Sequence, residues 1–284
     1  MNRIFQGDAL DSLKTLPEQC VQTCITSPPY FGLRDYGVKG QIGLEETPEA
    51  YVQKLVELFR EVRRVLRDDG TLWLNLGDSY ASFRDGKATP DTTRGTSTGT
   101  LVPKGSAKNR MASTFAGTSI KHKDLIGIPW RVAFALQADG WYLRQDIIWS
   151  KPNPMPESVK DRCTKAHEYI FLLSKAPQYY FDHKAVEELS VDGSGMRKRR
   201  SVWTVNTKPY KGAHFATFPF DLIEPCILAG APKGGVVLDP FLGSGTTAAV
   251  AAINGREYVG IELNPAYVKL AEERIGGLQL PLAA

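Results

Sequence analysis

The stretch Thr26-Ser27-Pro28-Pro29-Tyr30 brings together groups that could act on a planar substrate. It follows Val21 to Ile25, an apolar run that reads as a strand. Proline has no N–H and a fixed φ, so Pro28 and Pro29 cannot continue a buried ladder. Pro29 also holds Pro28 extended, which fixes the direction of the Pro28 carbonyl. The corner therefore offers a hydroxyl, a carbonyl and an aromatic face. Two acceptors and a stacking plate suit a planar base bearing an exocyclic NH₂. The nitrogen of such an amine is a poor nucleophile, because its lone pair is delocalised into the ring. Acceptors that draw both hydrogens out of the ring plane free that lone pair to attack a methyl donor in line. Positioning carries a step of this kind without a strong general base. Stacking on Tyr30 would add about 1–3 kcal/mol.

A second constellation lies near the other end. Val236-Val237-Leu238 reads as a buried strand, Asp239 to Gly245 as a tight turn, and Thr246–Ile253 as a helix. Gly243, Gly245 and Ala248 fit G-x-G-x-x-[G/A], in which small residues let a ligand approach the backbone closely. Tyr258–Ile261 is the next strand, and Glu262 stands at its end, where a carboxylate can accept both hydroxyls of a ribose. Asn264 then caps a helix whose first residue is Pro265. No lysine follows the turn, which excludes a P-loop nucleotide hydrolase. A nicotinamide dehydrogenase shares the glycine pattern, but Asp239 inside the turn would repel a pyrophosphate. A ligand carrying an ammonium and a sulfonium suits that carboxylate better.

Together, Thr26–Tyr30 and the downstream run Asp239-Pro-Phe-Leu-Gly-Ser-Gly-Thr-Thr247 resemble the S-adenosylmethionine-dependent DNA amino-methyltransferases. The order, tetrapeptide first and cofactor turn last, resembles their beta group. The likeness covers nearly the whole chain apart from one polar insertion. It implies an α/β fold, Rossmann-like, with a mostly parallel seven-stranded sheet, helices on both faces and a circularly permuted motif order. The Ser27 strand should lie beside the Asp239 strand. The resemblance implies Ser27, Pro28, Pro29 and Tyr30 as catalytic residues and S-adenosyl-L-methionine as cofactor. The cofactor would be held by Asp8, Ala9, Thr26, Phe218, Pro219, Asp239, Pro240, Phe241, Gly243, Ser244, Gly245, Thr246, Glu262, Leu263 and Asn264. Asp8 is expected at the adenine, and Phe218-Pro219 over the methionine part.

The reaction implied is methyl transfer to the N4 amine of a cytosine flipped out of duplex DNA, since a paired amine is out of reach. In the family, Ser at the first position of the tetrapeptide goes mostly with cytosine, and Asp or Asn mostly with adenine. Adenine-N6 methylation on the same fold stays open. So does a catalytically inactive DNA-binding regulator, though it would have little reason to keep both Ser27-Pro28-Pro29-Tyr30 and Asp239. The Cys-after-Pro nucleophile of cytosine-C5 enzymes is read as absent, which removes that chemistry. The expected partner is double-stranded DNA, with a cognate restriction endonuclease and a homodimer left open. The expected setting is the cytoplasm, in a chain of bacterial, archaeal or phage origin.

The elements that must position these groups follow from periodicity. Arg3–Gln6 reads as a strand and Ala9, Leu10, Leu13 and Leu16 as a helix face. From Pro48, Val52, Leu55, Val56, Phe59, Val62 and Leu66 form one apolar stripe. Asp69-Gly70 is expected to turn the chain into a strand over residues 71–76. A helix over Ile128–Leu136, a strand over Leu143–Trp149 and another over His167–Ser174 follow. The inferred strands end in Asp8, Thr26-Ser27, Asp78, Lys151, Asp239 and Glu262, so polar residues gather where open α/β sheets bind ligands.

Composition sets the limits. A chain of 284 residues, 42% hydrophobic and 23% charged, can bury a full core. No apolar run approaches a membrane span, and Cys20, Cys24, Cys163 and Cys226 form no C-x-x-C pair, so neither a membrane segment nor a metal site is expected. The net charge of +4 is unevenly spread. Residues 81–125 hold eight Lys/Arg against three Asp, and 183–213 hold seven against three acids, so the remainder is acidic. That suits an enzyme body with a polyanion-binding face. The catalytic domain is accordingly read as 1–80, 126–182 and 214–284. Residues 81–125 are read as a DNA-facing insertion with Lys104, Lys108 and Arg110. Residues 183–213 are read as a target-recognition segment in which Arg197, Lys198, Arg199 and Arg200 clamp phosphate.

Overall fold

Val21–Thr26 is buried at every position and forms β2, a strand covered on both sides. Alternate residues of the strands serve different cores. Cys24, Leu72, Leu74 and Phe171 pack into one cluster, Ile25, Trp73, Ile170 and Leu172 into another. The computed structural model describes residues 1–81, 119–207 and 218–278. In chain order it contains β1 (Arg3–Gln6), α1 (Ala9–Lys14), β2, α2 (Pro48–Val65) and β3 (Leu66–Leu76). Then come α3 (Ile128–Ala138), β4 (Tyr142–Ser150), β5 (His167–Ser174), β6 (Glu188–Leu189), β7 (Met196–Arg197) and β8 (Val202–Thr204). The last elements are α4 (Phe220–Gly230), β9 (Val236–Asp239), α5 (Thr246–Ile253), β10 (Glu257–Glu262) and α6 (Pro265–Gly276).

One sheet of order β1-β10-β9-β2-β3-β5-β4-β8 runs through the middle. It holds the seven strands that the resemblance implies, and the short β8 adds an eighth at the edge through Ile148↔Val202. All neighbours are parallel except β5, which is antiparallel to both β3 and β4. The β2 strand lies beside β9, with Thr23↔Val237 and Cys24↔Leu238 in register. Helices α1, α2 and α3 pack on one face, and α4, α5 and α6 on the other.

The helices begin where the sequence provides caps. Thr47 accepts the Ala50 N–H ahead of Pro48, and Asn264 accepts the Ala266 N–H ahead of Pro265. One expectation changes. The chain does not turn at Asp69-Gly70 into a new strand but enters β3 at Leu66, directly from α2. Val21 faces Leu66 while Thr23 faces Thr71, so residues 67–70 form a bulge within β3. The Asp69 and Gly70 carbonyls are used there, accepting the N–H groups of Tyr180 and Lys175.

The polar insertion has a defined neck. Ala81 donates its N–H to the Asp124 carbonyl and accepts the Lys123 N–H, next to a bridge between Tyr80 and Leu125. Lys104, Lys108 and Arg110 lie outside the described residues. Among the described residues, no helix is long and apolar enough to cross a membrane.

Candidate functional site

The carboxyl ends of β1, β10, β9, β2, β3 and β4 share one edge of the sheet, and the antiparallel β5 brings its amino end to the same edge. Thr26 is the last residue of β2, and its Oγ1 donates to Asp239 Oδ1 at 2.6 Å, from the end of the adjacent β9. Two motifs more than two hundred residues apart in sequence are thereby joined by one hydrogen bond.

Asp239 is 2% exposed. Besides Thr26, it accepts from Thr247 Oγ1 at 2.6 Å and from the Phe241 N–H at 3.0 Å. Burial nevertheless pushes its carboxyl up to about 6, with the hydrogen bonds opposing and Glu262 adding a smaller push in the same direction. A carboxylate so placed ties the turn to β2 and has one acceptor position left for a cation, which fits a ligand bearing positive charge. Glu262 is half-buried and accepts the N–H groups of Gly243 (2.9 Å) and Asn264 (2.7 Å). Burial raises its pKa too. Asp8 stands beside this group, since Gln6 pairs with Glu262 and the Gly7 N–H reaches the Glu262 carbonyl at 3.0 Å. The Asp8 side chain caps α1, accepting the Asp11 N–H at 3.0 Å, and Ala9 is buried as the first residue of that helix.

Parts of the glycine turn also serve packing. Gly245 has φ +82°, and a Cβ there would sit 2.8 Å from Ala271 Cβ of α6. Its small size is required by that helix, whereas Gly243, with φ +53°, has open space around it. The Ser244 and Thr246 hydroxyls lie against Arg274 of α6 at 3.1 and 2.9 Å. Both residues are buried. Pro240 is buried, while Phe241 and Leu263 are half-buried. Phe218 packs against the core, and Pro219 occupies the N-cap position of α4 without a side-chain hydrogen bond.

At the Ser27 corner, the Tyr51 hydroxyl donates to the Pro29 carbonyl at 2.8 Å and fixes the turn to α2. The Pro28 carbonyl accepts no hydrogen bond from the described residues and stays available. The Tyr30 ring lies on Gly77, just past β3, where a Cβ would come within 2.5 Å of Cε2. Its hydroxyl lies 2.6 Å from Glu168 Oε2, 3.1 Å from Asn75 Oδ1 and 3.4 Å from Ser27 Oγ. Burial, with the Glu168 charge second, holds the phenol well above its ordinary pKa, so it remains a donor.

Glu168 and Asn75 were not singled out in the sequence. Glu168 also forms an ion pair with Lys151, whose ammonium lies 4.1 Å from the Trp149 ring centre. Asp78 caps α3 by accepting the Gly127 and Ile128 N–H groups at 3.0 and 3.1 Å. Burial raises the Asp78 pKa and lowers that of neighbouring Lys165.

Two other expectations meet the structure differently. The four cations at 197–200 stand in different settings. Arg197 is paired with Glu188 at 3.0 Å, and Arg199 lies over the Trp203 ring at 4.7 Å, which leaves Lys198 and Arg200 exposed. The chain's Pro-Cys pair, Pro225-Cys226, is inside α4. Cys226 is 1% exposed and burial drives its thiol pKa far up, so it is no nucleophile.

The comparisons with known proteins agree with this architecture. The DNA methylase family, of N6 and N4 type, matches residues 21–273. The type II methyltransferase M.Cfr9I of Citrobacter freundii is 54% identical over 274 residues, covering 96% of this chain and 87% of that one. M.SmaI of Serratia marcescens, also a type II methyltransferase, is 53% identical over 96% of this chain and 90% of its own. Among solved structures, the cytosine-N4-specific PvuII DNA methyltransferase superposes with TM-score 0.71 at 21% identity, covering 99% of this chain and 88% of that one. A DNA modification methylase from Thermus thermophilus, complexed with S-adenosyl-L-methionine, gives 0.65 at 25% identity and full coverage of both chains.

Proposed function

This chain belongs to the DNA methylase family of N6 and N4 methyltransferases, and from that premise we propose that it methylates the N4 amine of a cytosine flipped out of duplex DNA. The observation that carries the reading is the Thr26–Asp239 hydrogen bond, which sets an amine-binding corner against an acidic turn suited to a cationic methyl donor. When bound there, S-adenosylmethionine supplies an electrophilic methyl group on a sulfonium. Asp239, Glu262 and Asp8 then serve as its acidic surroundings, and the open backbone at Gly243 allows its close approach.

The flipped base lies on the Tyr30 ring, whose far side is backed by Gly77. Its amine donates one hydrogen to Ser27 Oγ and the other to the free Pro28 carbonyl. Both acceptors are fixed before the base arrives, so little reorganisation accompanies the reaction. The lone pair is thereby turned towards the cofactor side of the corner. Cytosine is the base chosen because Ser27 heads the tetrapeptide, as it mostly does in members of the family acting on cytosine. Exposed Lys198 and Arg200, together with the insertion that leaves from Ala81, supply phosphate contacts along the duplex.

The experiment is Ser27→Ala. It should lower the methyl-transfer rate by about tenfold to a hundredfold while leaving DNA affinity within about twofold. A variant that turns over at the original rate would remove Ser27 from the chemistry.

A further inference from the structure

The acceptor role of Ser27 raises a question of direction. A serine hydroxyl both donates and accepts, and an O–H pointing at the amine would oppose the N–H it should receive. The groups around it settle which way the proton points. The Glu168 carboxylate can only accept. The Tyr30 hydroxyl has one proton to give, and at 2.6 Å Glu168 Oε2 is closer than Asn75 Oδ1 at 3.1 Å. With that proton committed, the Tyr30 oxygen is an acceptor for Ser27 Oγ, 3.4 Å away. Asn75 reinforces the arrangement, since its Nδ2 donates to Glu168 Oε2 at 3.3 Å and to the Tyr169 carbonyl at 3.0 Å. Lys151 neutralises the other Glu168 oxygen.

We propose that Glu168 is a positioning residue for methyl transfer, acting through the Tyr30 hydroxyl to turn the Ser27 proton away from the base so that Ser27 Oγ presents its lone pairs to the amine. Lys151 is its counter-charge. The inference rests on the reading of Ser27 as an amine acceptor, and it explains a costly feature. The side chains of Glu168 and Lys151 are each 16% exposed, and two charges so far from water are rarely retained for stability alone. It also explains why a neutral hydroxyl suffices at the first position: the charge that commits it stands two hydrogen bonds away.

The test is a double-mutant cycle read by single-turnover methylation of unmethylated genomic DNA, with S-adenosylmethionine affinity measured by calorimetry alongside. Glu168→Gln keeps the shape but can offer an N–H to Tyr30, reversing the chain. It should slow turnover about tenfold to a hundredfold with cofactor affinity unchanged. Tyr30→Phe should slow it similarly, and Glu168→Gln added to Tyr30→Phe should cost less than about twofold more. Glu168→Gln with Lys151→Met removes both charges. It should give the same rate loss with a retained melting transition, which covers a single variant that fails to fold. Multiplying penalties in the cycle, or full activity in either Glu168 variant, would overturn the proposal. If Ser27→Ala is slow while the penalties multiply, the relay alone fails. If Ser27→Ala keeps its rate, the acceptor reading itself has failed.

Discussion

Asparagine at Asp239 should make this protein more stable and a worse binder of its cofactor. Burial raises the Asp239 carboxyl from 3.8 to about 6 despite three hydrogen bonds. The folded chain therefore holds the proton more tightly than the unfolded chain does. That proton's contribution to stability is complete below the unfolded pKa and is lost as pH rises through the folded one. At one unit per 1.36 kcal/mol, the ionised carboxylate costs the fold about 3 kcal/mol at neutral pH. Asparagine matches the shape and the contacts. Its Oδ1 can accept from Thr26 and from the Phe241 N–H, and its Nδ2 can donate to Thr247 Oγ1, whose proton is free to turn.

The gain of Asp239→Asn at pH 7.5 should thus approach about 3 kcal/mol, roughly 5 °C in melting temperature for a chain of this size. At pH 5 it should shrink by about half, because the native carboxyl is then mostly protonated in the fold. Loss of the charge should weaken S-adenosylmethionine by about tenfold to a hundredfold. Thermal unfolding at the two pH values and calorimetric titration supply the measurements. A variant less stable than the parent at pH 7.5, or one with unchanged cofactor affinity, would refute the argument that the buried charge is kept for the ligand.

Gly77→Ala should impair turnover without touching a reacting group, since the new Cβ would meet Tyr30 Cε2 at 2.5 Å and displace the ring. Overpacking of this kind costs about 1–3 kcal/mol, so turnover should fall about fivefold to a hundredfold while cofactor affinity, by calorimetry, stays near the parent value. Replacing both Lys198 and Arg200 with Ala should flatten the salt dependence of DNA binding by up to about 1.8 in the log–log slope. Arg197→Ala, by contrast, should leave that slope unchanged, because Arg197 is already paired with Glu188. Equal effects of the two substitutions in a salt titration would return the cluster to a simple four-charge clamp.

The parts legible in the sequence are those encoded locally. Strand β2 and its proline corner, the acidic turn after β9, and the Pro48 and Asn264 helix starts all depend on residues adjacent in the chain. Glu168 was not legible, because it lies at the amino end of β5, and only the reversed direction of that strand brings that end to the ligand edge. A search for polar residues at strand carboxyl ends passes over it. The one local signal was a charge set directly against the apolar run Tyr169–Leu173. Asn75 was hidden for a related reason, since a single amide within the buried β3 looks like core until its cross-strand partner Ile170 and the neighbouring Glu168 are known. The packing partners of Gly245, Ser244 and Thr246 were not legible, because Ala271 and Arg274 come from a helix more than twenty residues further on. The bulge at residues 67–70 depends on register against β2, which no pattern within β3 reveals.

The central claim is the identity of the methylated atom. Unmethylated genomic DNA incubated with the protein and isotopically labelled S-adenosylmethionine, then digested to nucleosides and resolved by mass spectrometry, tests it most directly. The account predicts label in N4-methyldeoxycytidine. Label solely in N6-methyldeoxyadenosine would contradict the assignment of cytosine to the Ser27 corner.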